Sequence, residues 1–165
     1  MREDGLWDIE AKLLDTRPFS YTDFRGRTKP ADEPVHQMLV RITVNDEMTI
    51  VAAEAEMLDV PHKTCHHPAS MIGSMVGARI GAGWKETVRK RLPISDGCTH
   101  LSELLVTMAT AVFQTMAFGK DPANSDPRIV ANQSETPPFF LDKCHSWRRD
   151  LANVREIFPR WYVNK

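Results

Sequence analysis

Between Met38 and Val44 the chain alternates: Met38, Val40, Ile42 and Val44 fall on one side, Leu39, Arg41 and Thr43 on the other. Successive side chains of a strand point to opposite faces, so this is the period of a strand buried on one face. The same period runs through Trp7, Ile9, Ala11 and Leu13, set against Asp8, Glu10 and Lys12. After Val44, Asn45-Asp46 supplies turn chemistry, and Met48-Thr49-Ile50-Val51 resumes an extended pattern. These segments predict a three-stranded antiparallel meander. A polar stretch from about Thr22 to Glu33, holding Gly26 and Pro30, is expected to be a loop.

The apolar face of that sheet needs a cover, and the sequence supplies one. Leu101, Leu104, Leu105, Met108, Val112, Phe113 and Met116 share one face of a helix spaced over Thr99–Phe118. Two shorter helices are expected before it. The first starts at Pro68 and carries a stripe of Met71, Ile72, Met75 and Val76, with Gly77, Gly81 and Gly83 breaking it. The second, Trp84 to Leu92, is basic and amphipathic and stops at Pro93. The fold class read from this is α+β, with a core domain over residues 1–118. Pro122, Asn124, Ser125, Pro127, Asn132, Ser134, Pro137 and Pro138 mark 119–138 as an irregular connection. The tail, 139–165, carries Phe139, Phe140, Phe158, Trp161 and Tyr162, too aromatic for a disordered segment, and is expected to dock on the core.

Composition removes several functions. Lys plus Arg number 21 against 22 Asp plus Glu, which gives no whole-chain attraction for nucleic acid. No apolar run reaches the roughly 18–20 residues of a membrane span, and the first residues lack the apolar run of a secretory signal. Three cysteines without such a signal read as reduced thiols, and the expected location is the cytoplasm. P-loop, dinucleotide, Gly-x-Ser-x-Gly and His-Glu-x-x-His motifs are all missing.

The chemistry gathers at the cysteines. Each has a histidine within two residues: Cys65-His66, Cys98-Thr99-His100 and Cys144-His145. Thiolate and imidazole together build zinc sites and activated nucleophiles. Asp96-Gly97 turns the chain ahead of the long helix, and Thr99 is the expected N-cap. Cys98 then sits beside free helix N–H groups, which favour a thiolate and predict a thiol more acidic than the usual value near 8.5. His100, in the first turn, is the expected base or second ligand. Cys65 stands ahead of the helix at Pro68 with His62, His66 and His67 around it, while His36 opens the second strand. Glu54 and Glu56 on one strand face, and Arg79, Lys85, Arg89 and Lys90, read first as solvated charges.

Two resemblances follow. Asp4-Gly5-Leu6-Trp7-Asp8, Pro34-Val35-His36, Gly97-Cys98-Thr99-His100-Leu101 and Cys144-His145 together resemble a bacterial domain family of unknown function, over nearly the whole chain. From Val35 to about Ala117 the layout is similar to the U-type iron–sulfur cluster scaffolds. The hairpin Val40 to Glu47, Cys65 followed by Pro68-Ala69-Ser70-Met71-Ile72, and Cys98 opening Thr99-His100-Leu101 carry that likeness. It departs where the scaffold has its first cysteine (here Pro34), its aspartate (His36) and the histidine before its last cysteine (Gly97). The resemblance implies a three-stranded sheet packed by helices, with His36, Cys65 and Cys98 converging at one end.

Such a trio would bind zinc, with His100, Cys144, His145 or water as fourth ligand. The leading expectation is therefore a zinc-binding protein of bacterial small-molecule metabolism. A second expectation is a metal-free enzyme or isomerase using Cys98 and His100 on a small molecule in the same pocket. A third is a partner-binding subunit or homo-oligomer, motivated by the aromatic tail. None of the three involves nucleic acid or a membrane.

Overall fold

The computed structural model of the chain describes residues 1–116 and 126–164. Three long strands, β1 (Trp7–Thr16), β4 (Pro34–Val44) and β5 (Ile50–Asp59), form an antiparallel sheet with β4 in the middle. β2 (Tyr21–Thr22) and β3 (Thr28–Lys29) pair as a separate ribbon between β1 and β4. The helices are α1 (His67–Met71), α2 (Trp84–Arg91), α3 (Thr99–Met116), α4 (Pro127–Gln133) and α5 (Ala152–Ile157). No helix among the described residues is long and apolar enough to cross a membrane.

The alternation read from the sequence sets the register. Trp7 lies opposite Val44, Ile9 opposite Ile42 and Ala11 opposite Val40, while Ala53 and Ala55 face Ile42 and Val40 from the other side. Met38, Val40, Ile42 and Val44 are all essentially buried. The outward face is polar: Arg41 donates to Glu10 at 2.7 Å and to Glu54 at 2.9 Å, and Thr43 Oγ1 donates to Asp8 at 2.7 Å. Hydrogen-bonded polar groups on the outer face and buried apolar groups on the other leave a single way to orient the sheet. The β4–β5 turn is built by Asn45, whose Oδ1 accepts the Glu47 and Thr49 N–H groups, with Met48 in the left-handed region at φ 61°.

Two helical expectations shift in detail. α1 runs only to Met71 and continues as a 3-10 turn over Ile72–Met75; Val76 is exposed, and Gly77 at φ 81° then ends it. In α3, Leu101, Leu105, Met108, Ala109 and Val112 are buried, so the small Ala109 joins the stripe while Leu104 is only half covered. The Trp84 indole of α2, itself buried, donates Nε1–H to the Leu105 carbonyl at 2.8 Å, an interior hydrogen bond between α2 and α3.

The expected loop over Thr22–Glu33 holds the β2–β3 ribbon. Asp23 is buried and accepts the Arg25 and Arg27 N–H groups, and Gly26, at φ 75°, makes the tight turn between them. Those bonds from Arg27 hold the Asp23 carboxyl below its usual range. Lys29 reaches out of the ribbon to the Pro34 carbonyl (2.5 Å) and the Asp59 carboxylate (3.3 Å). It thereby ties the start of β4 to the end of β5.

The chain divides into two compact units, residues 1–112 and 113–165. The second has its own small core of Leu141, Val154 and Phe158, packed round by Phe140, Trp147 and Trp161. Part of the expected irregular connection is helical there. Asp126 accepts the Arg128 N–H at 2.9 Å and Pro127 takes the first helical position, a start signal that the surrounding Pro and Asn residues obscure. The remainder of that connection up to residue 125 lies outside the described residues.

Candidate thiol–imidazole site

The Gly97-Cys98-Thr99-His100-Leu101 run folds as a joint between α2 and α3, and each residue has a physical reason to be there. A Cβ on Gly97 would lie 2.9 Å from the Pro93 carbonyl oxygen and 3.2 Å from that of Leu92, so only a glycine lets the turn close. The Gly97 N–H donates to Pro93 O at 2.8 Å. The Cys98 carbonyl accepts the Ser102 N–H at 3.0 Å, the first i to i+4 bond of α3. Cys98, not Thr99 as expected, is therefore the N-cap, and Thr99 is the first helical residue. His100 lies in the first turn, half-buried, and Leu101 points into the core at 1 % exposure.

His100 Nδ1 stands 3.7 Å from Cys98 Sγ, within the reach of a hydrogen bond to sulfur. The His100 ring also meets His36, with centroids 4.3 Å apart and planes inclined at 43°. His36 comes from the central strand, where the register puts Asp15 of β1 directly opposite. Asp15 clamps it twice, accepting the His36 backbone N–H at 2.5 Å and lying 3.0 Å from His36 Nδ1. A carboxylate, two imidazoles and a thiol thus stand in series from the sheet to the helix end. Burial holds the His100 imidazole below its ordinary value of 6.5, and the nearby His36 pushes the same way, with Asp15 opposing. The neutral form of His100 is thereby favoured, and it offers a lone pair for a proton from sulfur when its Nε2 holds the hydrogen.

Cys98 also lines a groove of about 600 Å³ between α2 and α3. Its walls carry Lys85, Glu86, Arg89 and Lys90 from α2 and Glu103 from α3.

Cys65 sits in a 3-10 turn, Lys63–His66, half-buried, and its side chain has no hydrogen-bond partner among the described residues. His62 stacks on Phe24, ring centroids 5.3 Å apart. Cys144 is exposed at the start of the 3-10 turn His145–Trp147 in the second unit. Among the described residues no three Cys, His, Asp or Glu side chains are grouped so as to hold a metal ion. His36, Cys65 and Cys98 form no such group among the described residues. Asp15 was not singled out from the sequence. Its signal is the register, since pairing Trp7 with Val44 carries forward to Asp15 opposite His36.

Comparison with known proteins places residues 1–114 in a family described as a protein of unknown function, DUF2889. No curated protein and no solved structure matches the chain.

Proposed function

For a chain that belongs to the DUF2889 family through 114 of its 165 residues, we propose that the first unit is a thiol–imidazole enzyme acting on a small molecule bound in the α2–α3 groove. The observation that carries this reading is the placement of Cys98 Sγ between His100 Nδ1, 3.7 Å away, and the groove it lines. Cys98 is the nucleophile. Its electron pair forms the bond to an electrophilic carbon of the substrate, and its proton passes to His100 Nδ1. The displaced group leaves with its bonding pair and takes that proton; water then gives a proton to His100 and its oxygen displaces Cys98 from the carbon, and the sulfur regains its bonding pair and the proton from His100. His36 and Asp15 are positioning residues that hold His100 against the thiol.

Mass spectrometry of folded protein alkylated with iodoacetamide tests the reading. Cys98 is expected to react faster than the more exposed Cys144, and His100→Gln is expected to slow Cys98 alone. A Cys98 that stays unmodified while Cys144 reacts would remove the proposal. Element analysis of the same purified protein checks the zinc alternative, and stoichiometric zinc lost on Cys98→Ser would replace the nucleophile by a ligand.

A further inference from the structure

The charge lining the groove selects among substrates. We infer that the α2–α3 groove binds a small organic anion, a carboxylate-bearing electrophile, with Lys85 and Arg89 holding the carboxylate while the reactive carbon meets Cys98; this rests on the thiol–imidazole reading above.

Lys85 and Arg89 are four residues apart on α2, so they stand on one side of the helix. Three cations, Lys85, Arg89 and Lys90, line the groove against two carboxylates, Glu86 and Glu103. Glu86 is shared, lying 3.6 Å from Arg89 and 3.9 Å from Lys90. Lys85 has no ion-pair partner among the described residues. The wall supplied by α3 begins at its N-terminus, where unpaired N–H groups favour negative charge. A neutral ligand would draw nothing from the Lys85 and Arg89 charges. A cationic one would meet three like charges. Three cations against two carboxylates favour an anion in the groove that Cys98 lines, and a volume of about 600 Å³ suits a small molecule.

Iodoacetate and iodoacetamide test this directly, because both alkylate sulfur and they differ in charge. The quantity read is the ratio of their rates at Cys98 in folded protein, relative to the same cysteine in urea-unfolded protein. The ratio is expected to rise about threefold or more at low salt. It should fall back in 1 M sodium chloride, where screening shortens to about 3 Å. Lys85→Glu with Arg89→Glu should invert the preference, Lys85→Gln with Arg89→Gln should abolish it, and Glu103→Gln should strengthen it. Circular dichroism checks that each variant is folded. A Cys98 that reacts readily with iodoacetamide but shows the unfolded ratio, unmoved by these substitutions, overturns the anion site and leaves the thiol reading standing. A Cys98 inert to both reagents overturns the thiol reading, and the anion site goes with it.

Discussion

Gly97→Ala is the perturbation that tests how the joint is built. The Gly97 backbone is not in the left-handed region, so conformation does not forbid a side chain; space does. The added Cβ would sit 2.9 Å from Pro93 O, 3.2 Å from Leu92 O and 3.4 Å from the Leu92 carbonyl carbon, all backbone atoms that cannot swing aside. Restoring an ordinary contact of 3.4 Å needs about 0.5 Å of opening at Pro93, against the Gly97 and Asp96 N–H bonds to that same oxygen at 2.8 and 3.0 Å. Overpacking of this kind costs about 1–3 kcal/mol. Loss of glycine freedom in the unfolded chain returns about 0.4–1 kcal/mol, so midpoint against midpoint the net loss is about 1.3 kcal/mol. Urea denaturation reads it as a midpoint lowered by roughly 0.5–1 M for a slope near 2 kcal/mol/M. Because the opening moves the N-cap, the alkylation rate of Cys98 should change in the same variant. A stability loss under about 0.3 kcal/mol with an unchanged Cys98 rate would show that the turn yields freely and that glycine is not needed there.

Leu105→Ala removes a fully buried side chain from α3 and should cost about 2–5 kcal/mol in chemical denaturation; under roughly 0.5 kcal/mol would place the stripe outside the core. Trp84→Phe removes the donor to Leu105 O and part of a buried indole, so the loss by the same measurement should exceed the about 0.5–1.5 kcal/mol of the hydrogen bond alone. His100 should make stability pH-dependent. Its folded value is below 6.5, so on acidification the unfolded chain takes the proton first; stability is full above about pH 6.5 and declines as pH falls through that range. Thermal melts at pH 7.5 and 5.5 should show a smaller difference for His100→Gln than for the parent chain. Cys98 alkylation should slow over the same acid range as His100 loses its lone pair, and a Cys98 rate ratio to Cys144 constant across it would separate the two side chains functionally.

The sheet was legible because its evidence is local. Alternation over Met38–Val44 and Trp7–Leu13 gives both strand faces, and Asn45 in the turn gives the β4–β5 pair. The helix at Leu101–Val112 was legible for the same reason. What sequence could not give was convergence. Among the histidines crowding the cysteines, only His100 is placed on Cys98, while the partner across from it, His36, lies far from any cysteine in sequence. Whether Cys65 shares a site with Cys98 depends on where β5 delivers the turn at Lys63–His66, which no periodicity encodes. The N-cap moved by one residue because the choice between Cys98 and Thr99 is made by the closeness of Gly97 to Pro93, a distance and not a pattern. α4 was hidden by composition, since Pro127 reads as a breaker unless Asp126 is recognised as its cap.

The two halves of the site have unequal anchorage. His36 is tied to the neighbouring strand by its backbone and its ring, both on Asp15, whereas Cys98 and His100 ride on the first turn of a helix, and helix ends open at low free energy. The assembled arrangement therefore exists only in the fraction of molecules whose first α3 turn is closed. Any ligand that needs both halves binds with an apparent dissociation constant raised by the inverse of that fraction. The Ser102 amide, whose bond to Cys98 O closes the turn, reports the fraction by hydrogen exchange. A ligand seated on Cys98 should slow that one amide more than the amides of β4, so the first turn of α3 serves as the latch of the site and its fraying as the rate of entry.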